Sequence, residues 1–229
     1  MVADQVNHFN LHNMPVLLSL FDFSGNWAAP YADAGWDVIL WDIKHTSDLF
    51  STFTNINDAC AEYFYENIFD NYGTVDGIIA APPCTDFAVS GAQYWKQKDL
   101  DGRTEKSVQM IYQVLRIVDL CQPSFWAMEN PVGRLPKLVP EVGNPWYFQP
   151  YWFGDPYTKK TGLWGEFNIP EKINVVEPIK SCSQGSWLQK LGGKSEKTKE
   201  LRSMTPEGFA QAFYEANHEI KDFDDEDDY

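Results

Sequence analysis

Val75-Asp76-Gly77-Ile78-Ile79-Ala80-Ala81 runs into Pro82-Pro83-Cys84, and the reading of this stretch decides the fold. The first seven residues form an apolar run that reads as a buried strand. A second run, Ser124-Phe125-Trp126-Ala127-Met128, leads in the same way into Glu129-Asn130-Pro131. In an open α/β sheet, ligands collect outside the carboxyl ends of the strands. Two neighbouring strands would therefore deliver a thiol and a carboxyl to one crevice. A thiolate is a strong nucleophile, and a nearby carboxyl can donate or accept a proton. Taken singly, each has a plainer reading, since a lone Cys after a strand is more often a small buried hydrophobe. The pairing favours the functional one.

Working outward, Val16 to Phe21 reads as a central parallel strand. The turn Asp22 to Asn26 comes next. Trp27 to Ala34 is then expected to be helical, with Pro30 in its first turn and Gly35 as its stop. Trp36 to Trp41 is a second strand, ending at Asp42. Asp58 to Phe69 is a second helix capped by Asp58. Thr104 to Cys121 is the clearest helix, with Val108, Ile111, Tyr112, Leu115 and Val118 at helical spacing and Pro123 ending it. Beyond Met128 the alternation stops. Phe148 to Phe153, Lys160 to Phe167 and Asn174 to Glu177 read as strands with no helices between them, an antiparallel continuation. Thr205 to His218 is a last helix, with Pro206 at its first position. The expected class is α/β, a mostly parallel sheet with helices on both faces and a small antiparallel C-terminal extension. Residues 1–218 read as one domain, with 219–229 as a disordered acidic tail.

The chain has 229 residues, 44% of them hydrophobic and 15% aromatic, which is enough for an ordinary core. No segment has the apolar length to span a bilayer. Met1 to Asn13 lacks a basic region followed by an apolar run, so no signal peptide is expected. Cys60, Cys84, Cys121 and Cys182 have neither metal-ligand spacing nor the density of a disulfide framework, which points to a reducing cytoplasm. The net charge of −15 repels nucleic acid at long range. Glu219 to Tyr229 holds seven acids and one Lys, a net of −6, so −9 remains without it. The basic stretch is Lys180 to Arg202, six cations against Glu196 and Glu200, a net of +4. Its Lys194 and Lys197 are the first candidates to hold a phosphate backbone.

The turn Phe21-Asp22-Phe23-Ser24-Gly25-Asn26 joins a strand to a helix, and Asp42 ends the next strand seventeen residues after Gly25. That is the layout of a nucleoside-cofactor site, with backbone N–H groups facing the ligand and an acid for ribose hydroxyls. The Gly-x-Gly-x-x-Gly of a dinucleotide fold is missing. A cofactor without phosphate, such as S-adenosylmethionine, suits the carboxylate-bearing loop better. An ordinary turn with Asp42 as a helix cap is the alternative.

Leu20-Phe21-Asp22-Phe23-Ser24-Gly25, then Ala80-Ala81-Pro82-Pro83-Cys84-Thr85-Asp86-Phe87-Ala88-Val89-Ser90-Gly91, then Met128-Glu129-Asn130-Pro131 resembles the cytosine-C5 DNA methyltransferases in order and spacing. The resemblance covers Val16 to Arg134 well and implies a Rossmann-like S-adenosylmethionine-dependent methyltransferase fold. It also implies covalent catalysis. Cys84 would add to cytosine C6, Glu129 would hold or protonate ring N3, and C5 would take the methyl group. A duplex target must be flipped out of the stack. The implied cofactor site is Phe21, Phe23, Ser24, Gly25, Asn26, Trp27, Asp42, Asp58 and Pro82. The implied base and substrate contacts are Pro83, Ser90, Asn130 and Lys159, with Lys160 as a catalytic cation where the family usually has Arg.

The amino-methyltransferases are disfavoured, because their loop carries Asp or Asn before Pro-Pro and an aromatic after it, where this chain has Ala81 and Cys84. Residues 170–203 are short for a recognition region. The consequence is reduced specificity, or a protein partner that supplies it. The compact acidic form suggests a phage-encoded or mobile-element protein, in a prokaryotic or phage-infected cytoplasm, with a role of restriction-modification type. RNA or a free cytosine nucleotide is the alternative substrate. A non-catalytic acidic protein that binds a host protein, as a DNA mimic would, is the alternative class.

Overall fold

The structure, a computed structural model, describes residues 14–42, 61–180, 187–191 and 195–219. Strands β1 (Val16–Leu20), β2 (Asp37–Trp41), β3 (Gly77–Ala80) and β4 (Phe125–Pro131) alternate with helices α1 (Ala29–Asp33), α2 (Ala61–Tyr72), α3 (Trp95–Leu100) and α4 (Arg103–Cys121). The short helix α5 (Leu135–Leu138), strands β5 (Trp146–Phe148) and β6 (Thr161–Glu166), and helices α6 (Trp187–Lys190), α7 (Glu196–Ser203) and α8 (Glu207–Asn217) complete the chain. Among the described residues no helix is long and apolar enough to cross a membrane.

The six strands form one sheet in the order β2-β1-β3-β4-β6-β5. The first four are parallel, with Leu18 opposite both Ile39 and Ile78, and Ile79 opposite Ala127. The chain winds outward from β1 to β2 in one direction, and from β1 through β3 to β4 in the other. The order therefore reverses between β1 and β3, and it is outside the carboxyl ends at such a switch point that open α/β sheets bind their ligands. β6 runs antiparallel to both β4 and β5. This is the expected α/β sheet with an antiparallel extension.

Alternation along the strands builds two apolar layers. Val16, Leu18 and Leu20 of β1 face Ile111, Val114 and Ile117 of α4 and Ile68 of α2. Leu17, Ile79 and Ala127 face Tyr31 of α1 and Phe209 and Phe213 of α8. Phe209 stacks on Phe148 with ring centroids 3.8 Å apart. Each such buried aromatic contributes roughly 1.5–3 kcal/mol.

Several expectations are corrected. The first helix is only Ala29–Asp33, because the Trp27 ring is fully buried against Phe209 and Phe213 and its backbone bends to place it there. Of the strand expected at Phe148–Phe153 only Phe148 is in a strand, as the last residue of β5; Pro150–Phe153 is a 3-10 turn, where Pro150 lacks the N–H a ladder needs. Asn174–Glu177 is not a strand; Asn174 has φ 59° and the segment is held irregularly, with Val176 N–H donating to Tyr151 O at 2.9 Å. β4 runs on through Pro131, because β6 pairs with it as far as Thr161, so Glu129 and Asn130 lie within the strand. Pro206 precedes α8 as its cap residue. The 3-10 turn Val89–Tyr94 and α3 had no expectation. The acidic tail beyond residue 219 and the cap Asp58 lie outside the described residues.

Candidate active site

The cofactor-side loop is organised by Asp22, at 6% exposure. Its carboxylate accepts from Ser19 Oγ at 3.0 Å, Ser24 Oγ at 3.1 Å and Gly25 N–H at 2.8 Å. Ser19 is the one polar residue of an otherwise apolar strand, and this bond explains its burial. Two positive φ angles, 59° at Phe21 and 69° at Gly25, turn the chain back over the sheet end. Only glycine adopts the latter without steric cost. The Gly25 carbonyl then accepts from Ala29 N–H at 2.8 Å, which starts α1. Phe21 N–H donates to Trp41 O, its ring meets Trp41 edge-on, and Asp42 comes directly after β2. Phe23 is 43% exposed on the loop, and Ser24 and Asn26 lie beside it. Trp27 offers the loop no side chain, since its ring is in the core.

Cys84 sits in a tight turn beyond β3. Its carbonyl accepts from the N–H groups of Phe87 and Ala88. Ala88 bridges to Gly133 in the loop after β4, Val89 N–H donates to Val132 O, and a Cβ on Gly133 would collide with the Phe87 carbonyl. The two post-strand loops are thus packed backbone to backbone. Asn130, nearly fully buried, donates its side-chain amide to Pro82 O at 3.0 Å. Pro82 is buried, and Pro83 and Ser90 are exposed.

Glu129 projects from β4 into this site at 9% exposure, with Oε2 lacking a hydrogen-bond partner. Burial raises its pKa above the ordinary carboxyl range; Lys159 opposes this, and Asp22 adds to it. Asp22 therefore places the cofactor loop within electrostatic reach of Glu129. The Cys84 residue is exposed, yet enough protein surrounds its thiol that desolvation is the largest influence on it, raising its pKa. Glu129 raises it further, and Lys159, the residue's own N–H and Arg202 lower it. Cys84, Glu129 and Lys159 form one coupled group.

Lys159 and Lys160 separate here. Lys159 keeps the strand parity of Thr161 and Leu163, and Leu163 is the partner of Glu129. Its N–H donates to Gln149 Oε1, and its Nζ donates to Met204 O at 3.0 Å. Lys160 points the other way, with Nζ 4.4 Å from the centroid of the Tyr147 ring. Of the two lysines it is therefore Lys159, and not the expected Lys160, that lies on the Glu129 side, because successive strand residues face opposite sides. Asp58 and Lys194 lie outside the described residues, as does the side chain of Lys197.

Sequence reasoning missed Asp22 as the organiser of its loop. It also missed the group formed by Asp86, Lys98, Ser107 and Arg134 behind the Cys84 turn. Ser107 donates to the Asp86 carboxylate at 2.6 Å, and Lys98 Nζ lies 3.3 Å from it. These partners are 12 to 48 residues apart in the chain and leave no local pattern. The Asp-x-Ser spacing of Asp22 and Ser24 was a signal that could have found the first.

The profile of the C-5 cytosine-specific DNA methylases matches residues 16–137. Among curated proteins, the type II methyltransferase M.FnuDI of Fusobacterium nucleatum is 27% identical over 128 residues, 55% of this chain and 35% of that protein. The match thus spans about a third of the curated relative's length. Among solved structures, the chain is similar to the Entamoeba histolytica methyltransferase EhMeth, at 12% identity and TM-score 0.47, over 80% of this chain and 61% of that one. It is also similar to a mutant form of Spodoptera frugiperda DNMT2, at 17% identity and TM-score 0.41, over 79% and 60%.

Proposed function

Because this chain belongs to the C-5 cytosine-specific DNA methylase family, we propose that it methylates cytosine at C5 in DNA, with S-adenosylmethionine as donor. The observation that carries this reading is the meeting of Cys84 and Glu129 at the carboxyl ends of adjacent parallel strands, with the Lys159 ammonium acting on both.

The donor fits the loop chemically. Phe21 to Asn26 contains an acid and no cation, and Asp42 stands at the end of β2. A phosphate would find no cationic side chain in that loop, whereas ribose hydroxyls would find the Asp42 carboxylate beside it. Phe21, Phe23, Ser24, Gly25, Asn26 and Pro82 would hold the donor, with Asp42 on the ribose. The bound donor supplies an electrophilic methyl group.

The chain's own residues do the rest. Cytosine is electron-poor at C6 but not nucleophilic at C5 until something adds at C6. The Cys84 thiolate forms a bond to C6, and the electron pair of the C5–C6 double bond moves into the ring. Glu129, whose burial favours its protonated form, would donate to N3 so that negative charge does not accumulate on the base. Once the methyl group is on C5, the N3 proton returns to Glu129, the C5 proton leaves to solvent, and the electron pair it leaves behind restores the C5–C6 double bond and expels Cys84 as thiolate. Lys159 steadies the thiolate before addition and the Glu129 carboxylate after it. Pro83 and Ser90, both exposed, would meet the flipped base, and Asn130 would act beside them by holding Pro82. Lys194 and Lys197, in the basic stretch 180–202, would meet the phosphate backbone, and a protein partner would supply sequence specificity that so short a stretch lacks.

The test is incubation with labelled S-adenosylmethionine and duplex DNA, RNA or dCMP, followed by nucleoside mass spectrometry. Labelled 5-methylcytosine is expected from the duplex. Label in RNA or dCMP alone would move the substrate assignment, and of these the net charge of −15 favours dCMP. No label in any arm would support a non-catalytic acidic binder.

A further inference from the structure

We propose that Lys98 and Arg134 are positioning residues for Cys84, which hold the turn that presents its thiol by capturing the carbonyl groups just after it. This rests on the reading of Cys84 as the nucleophile.

The carbonyl oxygens of four successive residues, Cys84 to Phe87, are all bonded within the protein. Cys84 O accepts from Phe87 N–H at 3.0 Å and Ala88 N–H at 2.9 Å. Thr85 O accepts from Lys98 Nζ. Asp86 O accepts from Arg134 Nε at 2.9 Å, and Phe87 O accepts from Arg134 N–H at 3.0 Å. The two middle oxygens are therefore held by cationic side chains, both only 8% exposed.

Each cation has its own counter-charge. Lys98 lies 3.3 Å from the Asp86 carboxylate. Arg134 forks onto Asp99 at 2.9 and 2.8 Å, donates to Thr104 Oγ1 at 2.8 Å, and lies 4.7 Å from the centroid of the Trp95 ring. Desolvating a cation is costly even when it is paired, so stability alone is a poor account of two cations behind one turn. What they provide is stiffness, since bonds with an ionised donor are roughly twice as strong as neutral ones. The path of the chain fits this. It leaves Cys84, passes through the 3-10 turn Val89–Tyr94, and returns in α3, whose Lys98 clasps the turn the chain has just left. Attack on C6 requires the sulfur within about 3–3.5 Å of the carbon, and a misplacement of about 1 Å costs on the order of 100-fold.

The test uses the full chain with Lys98→Met and Lys98→Gln. Amide exchange over residues 84–91 is measured in the free protein. The rate of covalent capture of saturating duplex carrying 5-fluorocytosine is measured alongside, with cofactor affinity by calorimetry. Lys98→Met is expected to speed exchange in this segment alone and to slow capture at least tenfold, with cofactor affinity unchanged. Lys98→Gln keeps a donor for Thr85 O and is expected to fall between Lys98→Met and wild type. Wild-type capture by either variant overturns the proposal. So does faster exchange spread evenly over the chain in Lys98→Gln, the signature of a merely structural residue. If the wild type captures no duplex, the methyltransferase reading fails, and local exchange alone decides whether Lys98 holds the turn.

Discussion

The side-chain amide of Asn130 donates to the carbonyl oxygen of Pro82 at 3.0 Å, across 48 residues of sequence. Asn130 is covalently next to Glu129, and Pro82 lies two residues before Cys84. This bond therefore sets the spacing between the carboxyl and the thiol. It joins strands β3 and β4 beyond the last rung of their ladder, Ala80 to Met128.

Asn130→Ala should lose more than a hydrogen bond. The Pro82 carbonyl would be left buried without a donor, at a cost of about 1–3 kcal/mol. Denaturant titration should show that loss, and capture of 5-fluorocytosine duplex should slow by at least tenfold as the two post-strand loops drift apart. Capture at the wild-type rate in a stably folded variant would remove Asn130 from the geometry of the site.

The two neighbouring lysines should behave differently. Lys159 lowers the pKa of the Cys84 thiol, against desolvation and Glu129, which raise it. Lys159→Met should shift the pH profile of Cys84 alkylation to higher pH, so that less thiolate is present at mildly alkaline pH. Glu129→Gln should shift it the other way. Lys160→Met should leave it in place, because that ammonium sits over Tyr147. A Cys84→Ser background corrects for the other cysteines. Equal shifts from the two lysine variants would return Lys160 to the site.

Glu129 should make the fold sensitive to pH with a definite sign. Its pKa is raised in the folded state, chiefly by burial. The folded protein therefore holds this proton more tightly than the unfolded chain does. The associated stability is fully present below the ordinary glutamate value of 4.5 and is lost as pH rises through the raised folded value. Glu129→Gln removes the buried charge. Its Tm should rise relative to wild type as pH increases through that window, by about 2–4 °C for each kcal/mol recovered. Scanning calorimetry at several pH values checks this, and a Tm difference independent of pH would contradict it.

With Asp42 as the proposed acceptor for the ribose hydroxyls, Asp42→Ala should cost a hydrogen bond to a charged group, about 1.5–3 kcal/mol. Calorimetry with S-adenosylmethionine should show affinity weakened by roughly tenfold or more. Asp22→Asn should weaken it as well, by loosening the Ser24 and Gly25 ties. An unchanged dissociation constant in Asp42→Ala would take that residue out of the cofactor site.

Much of this molecule is written locally in the chain. The apolar runs at Val16, Trp36, Val75 and Ser124 are the four parallel strands, displaced by at most two or three residues at either end. Each run is contiguous, and burial on both faces demands continuous apolar sequence, so the pattern needs no tertiary information. For the same reason Cys84 and Glu129 could be assigned to strand ends, and the helix Thr104 to Cys121 could be read from its spacing. The conformation of the chain beyond Met128 was decided by tertiary structure. Whether Phe148 to Phe153 extends or coils depends on how far β6 can pair. Which of Lys159 and Lys160 faces Glu129 depends on register, and a shift of one residue reverses the face. The ring of Trp27 was read as part of a ligand loop and is drawn into the core by Phe209 and Phe213, more than 180 residues later. Lys98, Asp86 and Arg134 stand apart in sequence and meet only because β3 and β4 are neighbours. Composition and periodicity record what each segment must bury. They do not record which distant carbonyl a buried cation will hold, and that choice belongs to the assembled sheet.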